Sequence, residues 1–348
     1  MVRRSLWLLV CLLGLGLSDL ACGGSEQEGD RTGAMPSGKP PWEVPDDFEP
    51  VPIPPDNRMT LAKVDLGRRL YFDKRLSGDG KLACYSCHVC DHGLTDGRRT
   101  AIGAFGKNIG RSAPSMWNVG YHDSLYWDGR APSLERQAMA AWKGGNMGAR
   151  PDSIVEVLNQ DAEYHAAFHE VFGAEVAPEL VTKALGAYMR TILCFDTPFD
   201  RYQRGVAGAM SAAAVRGWEV FRGKAGCGTC HAGFLLTDLR YHNVGIGSRK
   251  SSPDIGRFKV TKATRDTGAF KTPGLRDVSR SAPYFHDGSV ATLEEAVEIM
   301  AGGGVANPHL DPQLEDRKLT GQEKKDLVAF LEALDCPCDQ NALSLAPR

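Results

Sequence analysis

"ACYSCHVC" (residues 83–90) places three cysteines and a histidine within eight positions, and two incompatible chemistries would use it. Read as CxxCxxC, Cys84, Cys87 and Cys90 are three thiolate ligands of a zinc or iron–sulfur site, with His92 as a fourth ligand. Read as CxxCH, Cys84 and Cys87 form thioether bonds to a c-type haem and His88 ligates its iron. A second copy, "CGTCH" (residues 227–231), separates the two readings. It carries Cys227, Cys230 and His231 but no third cysteine, so a thiolate site would make the copies work differently, whereas haem treats them alike. With ten cysteines and nine histidines in the chain, one CxxCH arises by chance about 0.007 times. Two thiols three positions apart reach both vinyl groups on one haem edge, and the adjacent histidine turns under the iron. His88 and His231 are therefore expected as proximal ligands, and the other face of each iron decides function.

Around these motifs the pattern is mostly helical. Apolar residues recur three or four apart over 60–72, 133–142, 178–192, 211–222, 292–301 and 320–334, and strand-like alternation is scarce. Thr292 with Glu295 and Thr320 with Glu323 read as capping boxes. Each CxxCH lies in its own half, separated by a helical stretch over 178–203. The expected fold is mostly α, with two cytochrome c-like domains, each carrying one covalently bound c-type haem: residues 57–205 and 206–335, followed by a tail over 336–348.

The chain begins with Arg3, Arg4 and a 12-residue apolar run from Leu6 to Leu17, too short to span a membrane and typical of an export signal. Ala21-Cys22-Gly23 resembles a lipoprotein cleavage site, although Asp19 departs from its aliphatic preference. This predicts a signal over residues 1–21, a lipid anchor on Cys22 and a membrane-anchored periplasmic protein, a compartment where disulfides and covalent haem both form. Residues 23–56 hold eight of the 20 prolines, which predicts an extended tether over 22–56. The formal charge of −2, with Lys and Arg scattered, argues against a nucleic-acid partner.

"CYSCH", "RSAPSMWNVGYHDSLYWDGRAPSLERQA", "GCGTCH", "DIGRF", "GAFKTPGLRDVSRSAPYFHDGSVATLEEAVEIM" and "LVAFLEAL" occur in an order that resembles the bacterial di-haem cytochrome c peroxidases. The tryptophylquinone-forming di-haem enzyme of methylamine metabolism is a relative of that family. The resemblance implies that Met300 is the sixth ligand of the His231 iron, where the quinone-forming relative has tyrosine; a core methionine is the competing reading. It implies that Trp127 stands between the haems as an electron relay, against simple core packing. It places His286 near the domain interface and Arg257 and Arg276 beside haem propionates, although a buried arginine equally serves a structural carboxylate.

Two departures concern the first haem. Ala104 in "AIGAFG" stands where many members carry a distal histidine, which leaves the His88 iron with an open face unless His92 or His122 substitutes. Asn146 in "WKGGNMGA" stands where the family has a proton-shuttling glutamate, while Gln137 matches its other distal polar residue. The implied interdomain calcium site maps onto Ser112, where the family has asparagine, and the carbonyls of Ser281 and Pro283.

Setting aside the haem cysteines, Cys11 and Cys22, the chain retains Cys90, Cys194, Cys336 and Cys338. Their pairing is open, and Cys336 and Cys338 suit distant partners better than each other. The function implied is reduction of hydrogen peroxide to water with electrons from a small donor protein, a cytochrome c or cupredoxin. The alternatives are a di-haem electron carrier or an oxidant of a partner protein. The family is often dimeric, so a homodimer is a further expectation.

Overall fold

The structure, a computed structural model, describes residues 40–338. The expected signal segment, its arginines and the Cys22 anchor lie outside the described residues. Helices dominate: α1 (Leu61–Phe72), α2 (Leu134–Lys143), α3 (Pro151–Gln160), α4 (Ala162–Phe172), α5 (Pro178–Met189), α6 (Pro198–Gln203), α7 (Ala212–Arg222), α8 (Phe258–Thr261), α9 (Leu293–Ala301) and α10 (Gly321–Glu332). Strand is confined to two-residue pieces, β1 (Tyr241–His242) and β2 (Phe270–Lys271), paired antiparallel with Tyr241 opposite Lys271.

The helix starts follow their caps. Thr60 accepts from Lys63 N at 3.2 Å, and both anticipated capping boxes, Thr292–Glu295 and Thr320–Glu323, are formed. The periodicity reading passed over α3 and α4, which abut. Asp161 ends one and caps the other, accepting from Glu163 N and Tyr164 N at 3.0 and 3.2 Å.

Two hydrophobic cores form, each around a crossing helix pair. In the first, α1 packs on α5, burying Leu66, Leu70, Tyr71, Tyr188 and Ile192. In the second, α7 packs on α10, with Phe199, Phe221, Phe330 and Leu334 at its centre and Trp218 against them. The crossings depend on glycine: a Cβ at Gly67 would lie 2.0 Å from the Ala184 carbonyl oxygen, and one at Gly217 would lie 1.8 Å from that of Asp326. The missing side chain lets each backbone pair approach, which seals the core beside each CxxCH.

Three expectations need correction. The stretch over 178–203 is not continuous helix: α5 ends at Met189, and non-helical chain through Thr197 leads into α6. The supposed tether is packed over its later part. Trp42 rests on the first core, Phe48 stacks 4.4 Å from Phe195, Val51 is buried, and Arg204 pairs with Asp47 at 2.9 Å. Proline-rich chain without secondary structure still docks when a few large apolar side chains anchor it. The tail boundary also moves, because Cys336 and Cys338 belong to the first core and are disulfide-bonded to Cys194 and Cys90. The last residues after α10 thus reach back from the second core to the first.

Candidate haem centres

The two CxxCH motifs adopt the same local structure. Cys84–Ser86 and Cys227–Thr229 each form one 3-10 turn, in which Cys87 N donates to Cys84 O at 3.2 Å and Cys230 N to Cys227 O at 3.3 Å. His88 Nδ1 lies 2.9 Å from Leu94 O, and His231 Nδ1 lies 3.0 Å from Leu236 O. Only a protonated Nδ1 can donate to a carbonyl, so each ring keeps its Nε2 lone pair for a metal. Leu94 and Leu236 are both buried non-glycine residues in the left-handed region, at φ 60° and 53°. That conformation costs about 1–3 kcal/mol and persists where packing enforces it; here it aims the carbonyl at the imidazole.

Burial pushes both imidazoles below the ordinary histidine range, opposed by those backbone bonds, which favours the neutral ring that ligates iron. Burial likewise pushes the Cys84 thiol up to about 12 and the Cys87 and Cys227 thiols up to about 11, and raises Cys230. These are not preformed thiolates. The three-thiolate reading of the first motif fails outright, because Cys90 is bonded to Cys338 and His92 is exposed. Donor atoms of Cys230, Asp238 and His242 do come within 4.8 Å of one another. Both nitrogens of His242 are already engaged, however, by Asp311 at 2.6 Å and Asp238 at 3.0 Å. Free cysteines in matched turns, each followed by a histidine whose Nδ1 is held by a leucine carbonyl, fit covalent haem.

A cavity of about 920 Å³ opens on the first motif, at the upper end of the range for small-molecule and cofactor sites. Cys84, Cys87 and His88 line it together with Trp127, Gln137 and Asn146. α2 carries Gln137, and the loop after α2 carries Asn146. The Ala104 segment packs on that loop, with Ala104 N donating to Asn146 O at 3.0 Å and Ala104 itself buried. Trp127 bridges chain from both halves: its indole N–H donates to Ser112 O at 2.9 Å, and its carbonyl accepts from Lys271 N at 2.8 Å.

The remaining expected residues are scattered. Met300, on α9, is half-buried, while Leu293, Val297 and Ala301 fill the helix's buried row. His286 is buried, stacked 3.5 Å from Phe270, and its carbonyl accepts from Ser112 N at 2.9 Å. Burial pushes it to about 4. Arg276 is held by the protein instead of standing free for a propionate: Nη1 and Nη2 clamp Asp200 at 2.7 and 2.8 Å, and Nε and Nη2 also reach Phe234 O. Arg257 Nη1 donates to the carbonyls of Asp128 and Gly129 at 2.8 and 2.9 Å, and its guanidinium covers Tyr241 at 4.2 Å. Ser112 donates its hydroxyl proton to Phe285 O at 2.8 Å, Ser281 donates to Val278 O at 2.9 Å, and Pro283 is half-buried in the same segment. Sequence reading passed over Lys271, which lines the cavity. Its one signal is an isolated cation inside the apolar run "GAFKTPGL".

Residues 61–208 match the family model for di-haem cytochrome c peroxidase. The chain is 41% identical to the cytochrome-c peroxidase IdrP1 of Denitromonas iodatirespirans, over 82% of this chain and 84% of that protein. It is 38% identical to the methylamine utilization protein MauG of Methylorubrum extorquens, over 82% of each. A crystal structure of a MauG-like protein associated with microbial copper homeostasis superposes with a TM-score of 0.78 at 35% identity, covering 86% of this chain and 97% of that one. With both haem motifs built alike and this similarity running across both cores, the chain belongs to the di-haem cytochrome c peroxidase family.

Proposed function

We propose that this chain reduces hydrogen peroxide to water with electrons from a small donor protein, a cytochrome c or a cupredoxin. The observation that carries the reading is the single cavity that gathers Cys84, Cys87 and His88 with Trp127, Gln137 and Asn146. Haem iron held by His88 supplies the redox chemistry. Ala104 has no ligand atom, so its side chain would not compete with substrate for a haem held by His88. Gln137 and Asn146 orient peroxide through amides that both donate and accept hydrogen bonds. Neither amide carries a proton at neutral pH, so turnover is slow relative to a site with a positioned acid, which typically contributes about 10²–10⁴ in rate.

Met300, which shares a face of α9 with Leu293 and Val297 and is half-buried, would serve as the sixth ligand of a haem iron held by His231. The thioether raises the reduction potential and suits an electron-entry centre. Trp127, bonded to chain from both halves, is the relay. The haem-bearing units are taken as residues 57–205 and 206–335, with Trp42, Cys336 and Cys338 from the flanking chain packed on the first. Two disulfides support an oxidising compartment, in line with export and anchoring at Cys22. Ser112, Ser281 and Pro283 stand as the calcium position, testable by chelation, and the solution mass of the haem-loaded chain tests the homodimer.

Electron paramagnetic resonance of the oxidised protein should show one high-spin and one low-spin haem, and peroxide should oxidise a reduced donor cytochrome catalytically. Two low-spin haems, with no catalysis after partial reduction, would remove the reading. Asn146 favours one alternative, a di-haem electron carrier whose peroxide site has lost its acid. In that case peroxide bleaches the haems without turning over the donor.

A further inference from the structure

Five Lys or Arg side chains line the cavity, and four have carboxylate partners. Arg111 pairs with Asp128 at 2.8 Å and Asp254 at 2.6 Å, Arg130 with Asp128 at 2.8 Å, Lys259 with Asp254 at 2.9 Å and Arg276 with Asp200 at 2.7 Å. Lys271 has none within ion-pair distance among the described residues, although only 8% of it is exposed. Its Nζ donates to Ser124 O at 2.6 Å and approaches His122 Nδ1 at 3.2 Å. Two of its three N–H groups are thereby used and the third is unassigned.

A buried ammonium without a close counter-charge is costly unless a partner completes it. Burial pulls Lys271 down to about 8, against the more distant Asp123 carboxylate, which raises it. Burial and the neighbouring Lys271 charge hold His122 well below the ordinary histidine range. A neutral His122 that accepts at Nδ1 carries its proton on Nε2, so the pair offers an ammonium and an imidazole N–H from one wall. β2 fixes the position, because Lys271 N donates to the Trp127 carbonyl.

We infer that Lys271, supported by His122, is an anion site that binds a carboxylate of the covalently held cofactor, a haem propionate. This rests on the haem reading above. A haem on Cys84 and Cys87 would bring two carboxylates into a space where the other lining cations are already paired; of the two arginines expected beside propionates, Arg276 pairs with Asp200 and Arg257 donates to the Asp128 and Gly129 carbonyls. A free carboxylate or phosphate has the same chemistry, and the test separates the sources.

The experiment compares haem-loaded wild type with Lys271→Met, Lys271→Gln and Lys271→Arg by resonance Raman spectroscopy of the propionate bending bands and by potentiometric titration. Haem content is measured first by pyridine haemochrome, so that a chain without haem counts against the haem reading and not against this site. The expected result is a shifted propionate band and a lowered potential at one haem in Lys271→Met, with both largely restored in Lys271→Arg. Unchanged bands and potentials in the Met variant, with both haems attached, would overturn the inference. If Lys271→Met takes up no haem, Lys271→Gln, which keeps a donor but no charge, decides by the same readouts. Acetate or phosphate that perturbs the wild-type spectrum but not that of Lys271→Met, with propionate bands unmoved, would assign the site to a free anion and also overturn it.

Discussion

The indole N–H of Trp117, in the first core, donates at 2.8 Å to the carboxylate of Asp277, a fully buried residue of the second half. Asp277 also accepts from Arg280 Nε at 2.7 Å and from Cys336 N at 3.1 Å. Burial raises its pKa against those three donors. One carboxylate therefore joins the two cores and the segment that follows α10. Trp117→Phe should leave an acceptor short of a donor and cost about 1–3 kcal/mol. Urea denaturation of the haem-loaded chain reads this directly, and an unchanged midpoint would show that the bond contributes nothing to the joint.

The disulfides work at the same joint. Cys90–Cys338 and Cys194–Cys336 close loops with sequence separations of 248 and 142. Replacing Cys194 and Cys336 together by serine should cost about 2–5 kcal/mol, within the range seen for native disulfides. Denaturation with and without reductant tests it: the double variant should match the wild type more closely once both are reduced.

Asn146→Glu should raise peroxide turnover by about 10²–10⁴, the usual contribution of a positioned acid–base group. Steady-state oxidation of a donor cytochrome measures it. No change would mean that the loop after α2 does not present residue 146 to peroxide.

His242 predicts a pH-dependent stability term. Burial lowers its pKa, but hydrogen bonds to Asp311 and Asp238 outweigh this and raise it above the ordinary histidine value. A raised folded value means stability that is fully present below the unfolded pKa of about 6.5 and lost as pH rises through the folded one. His242→Asn should therefore be more destabilising at pH 6 than at pH 9 in thermal melts, and an equal loss at both would contradict it.

The crossings at Gly67 and Gly217 make a parallel prediction. Gly217→Ala should force α7 off α10 and cost about 1–3 kcal/mol, as overpacking does. Calorimetry would show it as a lowered midpoint.

Much of this was legible along the chain because its causes are local. Six of the helices appear within a few residues of their periodic stretches, and both capping boxes form, since spacing and caps act over a single turn. The CxxCH motifs are local too, and both read as equivalent sites because they fold alike. The structural repeat behind them was not legible: a glycine-crossed helix pair and a leucine carbonyl bonded to each histidine share backbone geometry but little sequence identity.

Residue types and their short-range spacing were enough to indicate a helical chain with two haem-attachment turns, while Ala104 at the position of a distal histidine came only from the family resemblance. Folding decided which distant groups meet. Arg276 went to Asp200, Cys90 to Cys338 and Cys194 to Cys336, and Lys271 entered the cavity wall with no acidic partner. Those outcomes depend on charges and thiols brought together across more than 70 positions, and on which cation is left unpaired after every nearer carboxylate is taken. No pattern along the chain encodes that competition.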